Sequence, residues 1–183
     1  MEEKPPPRRS SSVRSAVEWI LIVAAALVTA LLIKTFLLQA FYIPSASMSP
    51  TLEVHDRVLV NKLSYHFHEV HRGDIVVFKR PPGERDANIK DLIKRVVALP
   101  DETVEGRDGH VLVDGRVLHE PYVPPNRPTD NFGPVKIAKN HYWVMGDNRT
   151  NSKDSRIFGS IPRSLIVGRA FIRVWPISAI TLL

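Results

Sequence analysis

His110-Val111-Leu112-Val113-Asp114-Gly115-Arg116-Val117-Leu118 sets two β-branched runs on either side of Asp114-Gly115. Asp-Gly is a favoured pair for a two-residue type I′ turn, which needs positive φ at both central residues and whose twist matches the strands it joins. A hairpin is expected here. Outward from it the same grammar repeats: Arg57-Val58-Leu59-Val60, Asp74-Ile75-Val76-Val77-Phe78, Leu92 to Leu99, Tyr142 to Met145 and Leu165 to Trp175 are short apolar runs bounded by turn residues. They read as strands. With Pro-rich loops, notably Pro121 to Pro128, they predict a mainly β domain without internal repeats.

Ahead of that domain, Met1 to Glu18 holds Pro5-Pro6-Pro7, Arg8, Arg9 and Ser10-Ser11-Ser12, a composition that buries no core and reads as a flexible tail. Trp19 to Ile33 is uncharged and almost wholly apolar, and after Lys34 the apolar character resumes through Phe36, Leu37, Leu38 and Ala40. From 19 to 40 the segment runs about 22 residues, enough for a helix to cross a hydrocarbon core. Lys34 falls in its last turns, where the long stem can carry the ammonium to the interface. A cleavable signal peptide is the other reading of so short an apolar core. Lys4, Arg8, Arg9 and Arg14 precede the segment, so the positive-inside tendency places the tail in the cytoplasm. The expected plan is a basic cytoplasmic tail over 1–18, a single transmembrane helix over 19–40 and an extracytoplasmic β domain over 41–183.

Composition narrows the chemistry. The chain has 183 residues, 44% hydrophobic and 24% charged, the balance of a globular domain and not of a disordered or fibrous one. It has no cysteine, which excludes disulfides, thiolate metal sites and a cysteine nucleophile. A net charge of +6 suits an anionic surface such as membrane lipid, but Lys and Arg nowhere form a dense run interleaved with aromatics, so nucleic acid is not an expected partner. His68-Glu69-Val70-His71 is one residue short of the helical spacing that sets two metal ligands on one turn. Neither a metal nor another cofactor is expected.

Three segments carry candidate chemistry. The first is Ile43-Pro44-Ser45-Ala46-Ser47-Met48-Ser49-Pro50-Thr51-Leu52, directly beyond the apolar segment. Serines between prolines also suit a plain polar loop, and a serine becomes a nucleophile only when a base takes its proton. The second is Asp91-Leu92-Ile93-Lys94-Arg95-Val96-Val97-Ala98-Leu99-Pro100. Strand alternation puts Lys94 on one face with Leu92 and Val96, and Arg95 on the other. A lysine on an apolar face either snorkels at a sheet edge or is a desolvated amine with its pKa lowered toward that of a working base. The third is Gly146-Asp147-Asn148-Arg149-Thr150-Asn151-Ser152-Lys153-Asp154-Ser155-Arg156, followed by Gly159. This suits either a self-bonded polar turn or a support that orients the lysine.

These segments, together with the strand Gly73 to Phe78, resemble in content and order the type I signal peptidase family, from the apolar segment to about Gly159. The resemblance implies a fold of coiled antiparallel β-sheets behind one membrane helix. It implies a membrane-bound serine endopeptidase that removes signal peptides from exported preproteins with a serine/lysine dyad. Ser47 would be the nucleophile and Lys94 the general base. Ser45 would donate to the oxyanion alongside the Ser47 backbone N–H, and Ser152 would hold Lys94. Gly146, Asp147, Asn148 and Arg149 would frame the third loop, and Asp154 with Arg156 would stiffen it. Ile43, Met48, Leu52 and Ile93 match positions that line shallow pockets for small side chains. The implied partners are preproteins with small residues before the cleavage site, membrane lipid and the nearby export machinery.

Two positions depart from the family pattern: Asp101 stands where a turn glycine is usual, and Ala46 where glycine is common. Aspartate tolerates the left-handed region better than most residues. The alternatives are a membrane-anchored β module that binds without catalysis, and a related serine/lysine self-cleaving protease. Intact Ser47 and Lys94 weigh against the first; the apolar helix and the lack of a DNA-binding module weigh against the second.

Overall fold

In the computed structural model, which describes residues 11–32, 37–82, 84 and 90–183, Asp114 and Gly115 take φ of 49° and 76°. Both are positive, as the type I′ turn requires. Val113 lies opposite Arg116 and Leu112 opposite Val117, which closes the expected hairpin. Asp101 also takes a positive φ, 65°, so aspartate does supply the turn conformation usually given to glycine.

The strands in chain order are β1 (Leu38–Tyr42), β2 (Arg57–Asn61), β3 (Ile75–Lys79), β4 (Asp91–Ala98), β5 (Thr103–Arg107), β6 (His110–Val113), β7 (Arg116–Val117), β8 (Phe132–Lys136), β9 (His141–Met145), β10 (Ile161–Pro162), β11 (Ile166–Trp175) and β12 (Thr181–Leu182). The larger sheet runs β1-β2-β11-β3-β4-β9-β10, with β12 beside β11; the smaller runs β7-β6-β5-β8. All the strand pairings are antiparallel.

The uninterrupted apolar run of β3 is explained by cover on both faces. Ile75 and Val77 pack with Ile43, Met48, Leu52, Val58 and Val60, while Val76 and Phe78 pack with Val70, Val96, Tyr142, Val144 and Ile161. A third cluster joins the sheets, bringing Val97, Ala98, Trp143 and Met145 against Val104, Val111 and Val113. The alternation of β4 breaks at a bulge between Val96 and Ala98, which turns both Val97 and Ala98 toward that cluster.

The chain divides into two compact units, Met1–Leu37 and Leu38–Leu183. In the first, α1 (Ser11–Leu32) is 22 residues long, and its described side chains from 15 to 31 are all exposed. Among the described residues no helix is long and apolar enough to cross a membrane. The expected helix over 19–40 is corrected at both ends. It begins at Ser11, inside the segment read as tail, because no glycine or proline interrupts residues 8–43. Leu38, Gln39 and Ala40 are strand instead, paired with Asn61, Val60 and Leu59. The rest of the tail, 1–10, and Lys34 lie outside the described residues. In the second unit two short helices, α2 (Ser64–Phe67) and α3 (Ser155–Phe158), connect strands.

Candidate active site

The serine loop is pinned at both ends and clasped in the middle. Ile43 and Leu52 sit in the core, 2% and 0% exposed, with Met48 between them at 0%. Residues Ala46–Met48 form one 3-10 turn, which leaves Ser47 half-buried at its centre. Asn148 then bonds the turn twice, its backbone N–H donating to Ser47 O at 3.1 Å and its side-chain Nδ2 to Ala46 O at 3.0 Å. Gly146 is needed for this approach, because a Cβ there would collide with Ser47 O and the Ser152 side chain.

Lys94 comes from β4, opposite Val76, and is 4% exposed. Its Nζ donates to Ser47 Oγ at 2.7 Å and to Ile93 O at 2.9 Å. Burial lowers its pKa from the ordinary 10.5 to about 8, against the attraction of Asp154, Asp147 and Glu84. An amine with such a pKa holds a usable neutral fraction near physiological pH, as a general base requires. Ser45, exposed beside it, donates from its Oγ to Ser47 Oγ at 3.3 Å.

Around this pair run three buried arginine–carboxylate bridges. Arg95, on the opposite face from Lys94, reaches Asp147 through Nε at 2.9 Å and Nη2 at 2.7 Å, with Nη1 on Gly73 O at 2.9 Å. Its guanidinium lies 4.0 Å over the Tyr122 ring. Arg149, 1% exposed, grips Glu120 at 2.7 and 2.5 Å and also donates to Thr129 and Gly146 O. Arg156 binds Asp154 at 2.9 Å through both Nε and Nη2 and donates to Arg149 O, while Asp154 accepts from Gly146 N–H at 3.0 Å. Each bridge fixes the backbone of the 146–156 loop, which in turn clasps Ser47.

Most residues singled out from the sequence converge here, but three sit differently. Ser152 Oγ is buried against Gly146 with no hydrogen-bond partner among the described residues, so the expected bond to Lys94 is not made; Nζ donates to Ser47 Oγ and Ile93 O. Met48 and Leu52 do not line a pocket for substrate, since their side chains complete the core beneath the loop. Ile43 and Ile93 do line a cleft of about 310 Å³ beside Ser45, Ser47 and Lys94. Sequence reasoning missed Thr51, Glu120 and Tyr122. Only the unusual buried polarity of the loop they meet could have pointed to them.

The cleft lies between two strands with open edges. β1 ends the larger sheet, and β4 is joined by β9 only from Arg95 onward, so Phe41 to Ile43 and Asp91 to Ile93 both border it. An extended peptide is what two such edges accept. A hydroxyl beside a buried amine at the end of a peptide-sized cleft is equipment for acyl transfer.

The family model described as signal peptidase, peptidase S26, matches residues 16–175. A signal peptidase I of Leptolyngbya laminosa is 45% identical over 165 residues, covering 88% of this chain and 81% of that one. Signal peptidase I S of Bacillus subtilis strain 168 is 38% identical over 156 residues, covering 80% and 81%. A crystal structure of a signal peptidase I from Enterococcus faecalis V583 aligns with 56% of this chain and 97% of that one, at 31% identity and a TM-score of 0.47. The chain belongs to the signal peptidase family, peptidase S26. It is a serine endopeptidase of the signal peptidase I kind.

Proposed function

We propose that this peptidase works through a dyad of Ser47 and Lys94 and that it does so at a membrane surface. The observation that carries the reading is the 2.7 Å hydrogen bond between Lys94 Nζ and Ser47 Oγ, with the amine buried. Neutral Lys94 takes the Ser47 proton as Oγ bonds to the scissile carbonyl carbon. The oxyanion accepts hydrogen bonds from the Ser47 backbone N–H and from Ser45, whose hydroxyl already lies beside Ser47. Collapse breaks the C–N bond, and Lys94 returns its proton to the departing amine. Water, deprotonated by Lys94, then attacks the acyl carbon; the C–Oγ bond breaks and Lys94 returns the proton to Ser47 Oγ. While Lys94 is charged it carries three donors. Ser47 and Ile93 O take two, and the unpaired Ser152 hydroxyl is the group we assign to the third.

Membrane anchorage rests on the first unit. The uncharged part of α1 begins at Trp19, and in sequence the apolar run continues through Ile33 before Lys34. A helix exposing apolar side chains all round needs an apolar solvent. With basic residues ahead of it, the N-terminus is cytoplasmic and residues 41–183 are extracytoplasmic, close to the export machinery.

The deciding experiment incubates the detergent-solubilised full chain with a preprotein and sequences the new N-terminus. Ser47→Ala, Lys94→Ala and Lys94→Arg should each abolish cleavage while the fold persists, because arginine keeps the charge but cannot give up a proton near neutral pH. Substantial activity in Lys94→Arg would remove lysine as the base. External protease on intact spheroplasts should digest the β domain; protection would reverse the topology.

A further inference from the structure

Arg127, in the Pro-rich segment between β7 and β8, donates from Nη1 to Ser49 O at 2.9 Å, two residues beyond Ser47. Pro124, Pro125 and Pro128 fix φ on both sides of it, and its backbone N–H closes a turn on Pro124 O at 3.0 Å. Thr129 anchors the end of the segment: it is buried, its N–H donates to Gly109 O at 3.0 Å and its Oγ1 accepts from Arg149 at 2.8 Å. A stiff, tied loop thus presents the guanidinium to the serine turn, and little order is left to lose when it takes a partner.

The charge of Arg127 is not answered inside the protein. Arg95, Arg149 and Arg156 each hold a carboxylate. Arg127 holds none among the described residues, and Ser49 O takes one of its five N–H donors. Glu53, the nearest acid in the bonding network, accepts from Ser49 Oγ at 2.7 Å and makes no ion pair with Arg127. Arg127 is half-buried and borders a cavity of about 710 Å³, where Glu120 is already gripped by Arg149 and the other carboxylate, Asp108, is exposed.

In the serine loop the dyad cleft stops at Ser47: Phe41 to Ser45 and Ser47 border it, and none of residues 48–52 does. With the acyl side of a substrate in that cleft, the departing side leaves past Met48 and Ser49. We propose that Arg127 binds an acidic side chain within the first three residues after the scissile bond, an inference that rests on Ser47 being the nucleophile. Three residues of extended peptide cover about 10 Å, and Ser49 lies within about 7 Å of Ser47 along the chain, so the guanidinium is within reach of this span. A carboxylate suits it because two oxygens meet the planar fork at once. The cleft then selects small residues before the bond, and Arg127 adds a charge preference after it.

Competition between versions of one preprotein, cleaved by the detergent-solubilised full chain, tests this. The versions are identical up to the scissile bond and carry Glu, Gln or Lys at the first, second or third residue after it. Mass spectrometry of the products gives ratios of kcat/KM. The parent should prefer Glu to Gln by about fivefold at one or more of these positions, the upper range for a partly exposed ion pair, and should disfavour Lys. Arg127→Gln should bring the ratios to about one, Arg127→Lys should keep their order, and Arg127→Glu should reverse it. Each ratio compares substrates on one enzyme, so a general loss of activity from a looser serine turn cancels. If Arg127 only braces Ser49 O, its variants slow every version alike and keep the parental ratios, which overturns the proposal. A parent without charge preference at all three positions overturns it as well. Ser47→Ala checks the nucleophile separately: cleavage surviving in that variant refutes the dyad, whereas the charge ratios report on Arg127.

Discussion

Replacing Lys94 by methionine should make the protein more stable at neutral pH, and the gain should fade as the solution becomes alkaline. The lysine is 4% exposed and its pKa is lowered from 10.5 to about 8 by burial. Below pH 8 both folded and unfolded chains carry the proton, and the folded chain bears the full cost of a buried charge. That cost is about 3 kcal/mol for a shift of this size. Between pH 8 and 10.5 the unfolded chain still binds the proton while the folded chain has released it, so stability rises with pH across that window. Above 10.5 neither is charged and the penalty is gone. From pH 7 to pH 10 the wild type should therefore gain about 2.5 kcal/mol relative to the methionine variant. Urea denaturation of both proteins at several pH values measures this, and the other lysines and tyrosines cancel in the difference. The same ionisation should appear in wild-type kcat/KM as a rise with an apparent pKa near 8. A stability difference that stays flat from pH 7 to 10 would refute the claim that Lys94 is desolvated.

Three further outcomes follow from the surroundings of the dyad. Ser45→Ala should lower turnover by roughly 10²–10³ with the fold intact, the usual effect of one lost oxyanion donor, and an unchanged rate would make Ser45 mere loop. Glu120→Gln leaves the Arg149 guanidinium buried without its carboxylate and should cost about 3–5 kcal/mol in urea denaturation; parental stability would show that the bridge is dispensable. Arg156→Gln frees the charge of Asp154, the first of the attractions on Lys94, so the pKa of the activity profile should move upward from about 8. A profile that does not move would mean that Asp154 is too well screened to act on the amine.

The sequence made the strands legible wherever an apolar run met a turn residue, and the hairpin at 110–118 because Asp114-Gly115 dictates positive φ. It obscured β1, since Leu38 to Tyr42 continues an apolar helical run and only pairing with β2 separates the two. β5 and β8 were equally hidden: Thr103–Arg107 holds Glu105 and Gly106, and Phe132–Lys136 holds Gly133 and Pro134, poor strand formers held by their neighbours. At the site, Lys94 could be singled out because a cation on an apolar face is conspicuous. The Glu120–Arg149 bridge could not, because its partners are 29 residues apart and nothing local in the Pro-rich loop announces an ion pair. Met48 and Leu52 show the opposite limit. Apolar residues beside a nucleophile can line the substrate cleft or fill the core below it, and only the direction of the 3-10 turn decides.

Asp147 and Asp154 explain why burial prevails at Lys94. Both are fully buried and both favour the protonated amine, so bare carboxylates at these places would oppose the depressed pKa. Neither is bare. Arg95 holds Asp147 through two nitrogens, and Arg156 holds Asp154 through two more. Each pair presents a dipole to Lys94 in place of a net negative charge, and the field of a dipole falls off faster than that of an ion. The carboxylates can then position the loop, Asp154 through Gly146 N–H and Asp147 through Thr51, without returning the proton to the base. An arginine beside each aspartate is thus an electrostatic condition for a lysine base as well as a brace. It also accounts for Arg95 following Lys94 directly: on a strand, adjacent residues face opposite ways, so one short segment delivers the amine to Ser47 and the cation that neutralises Asp147.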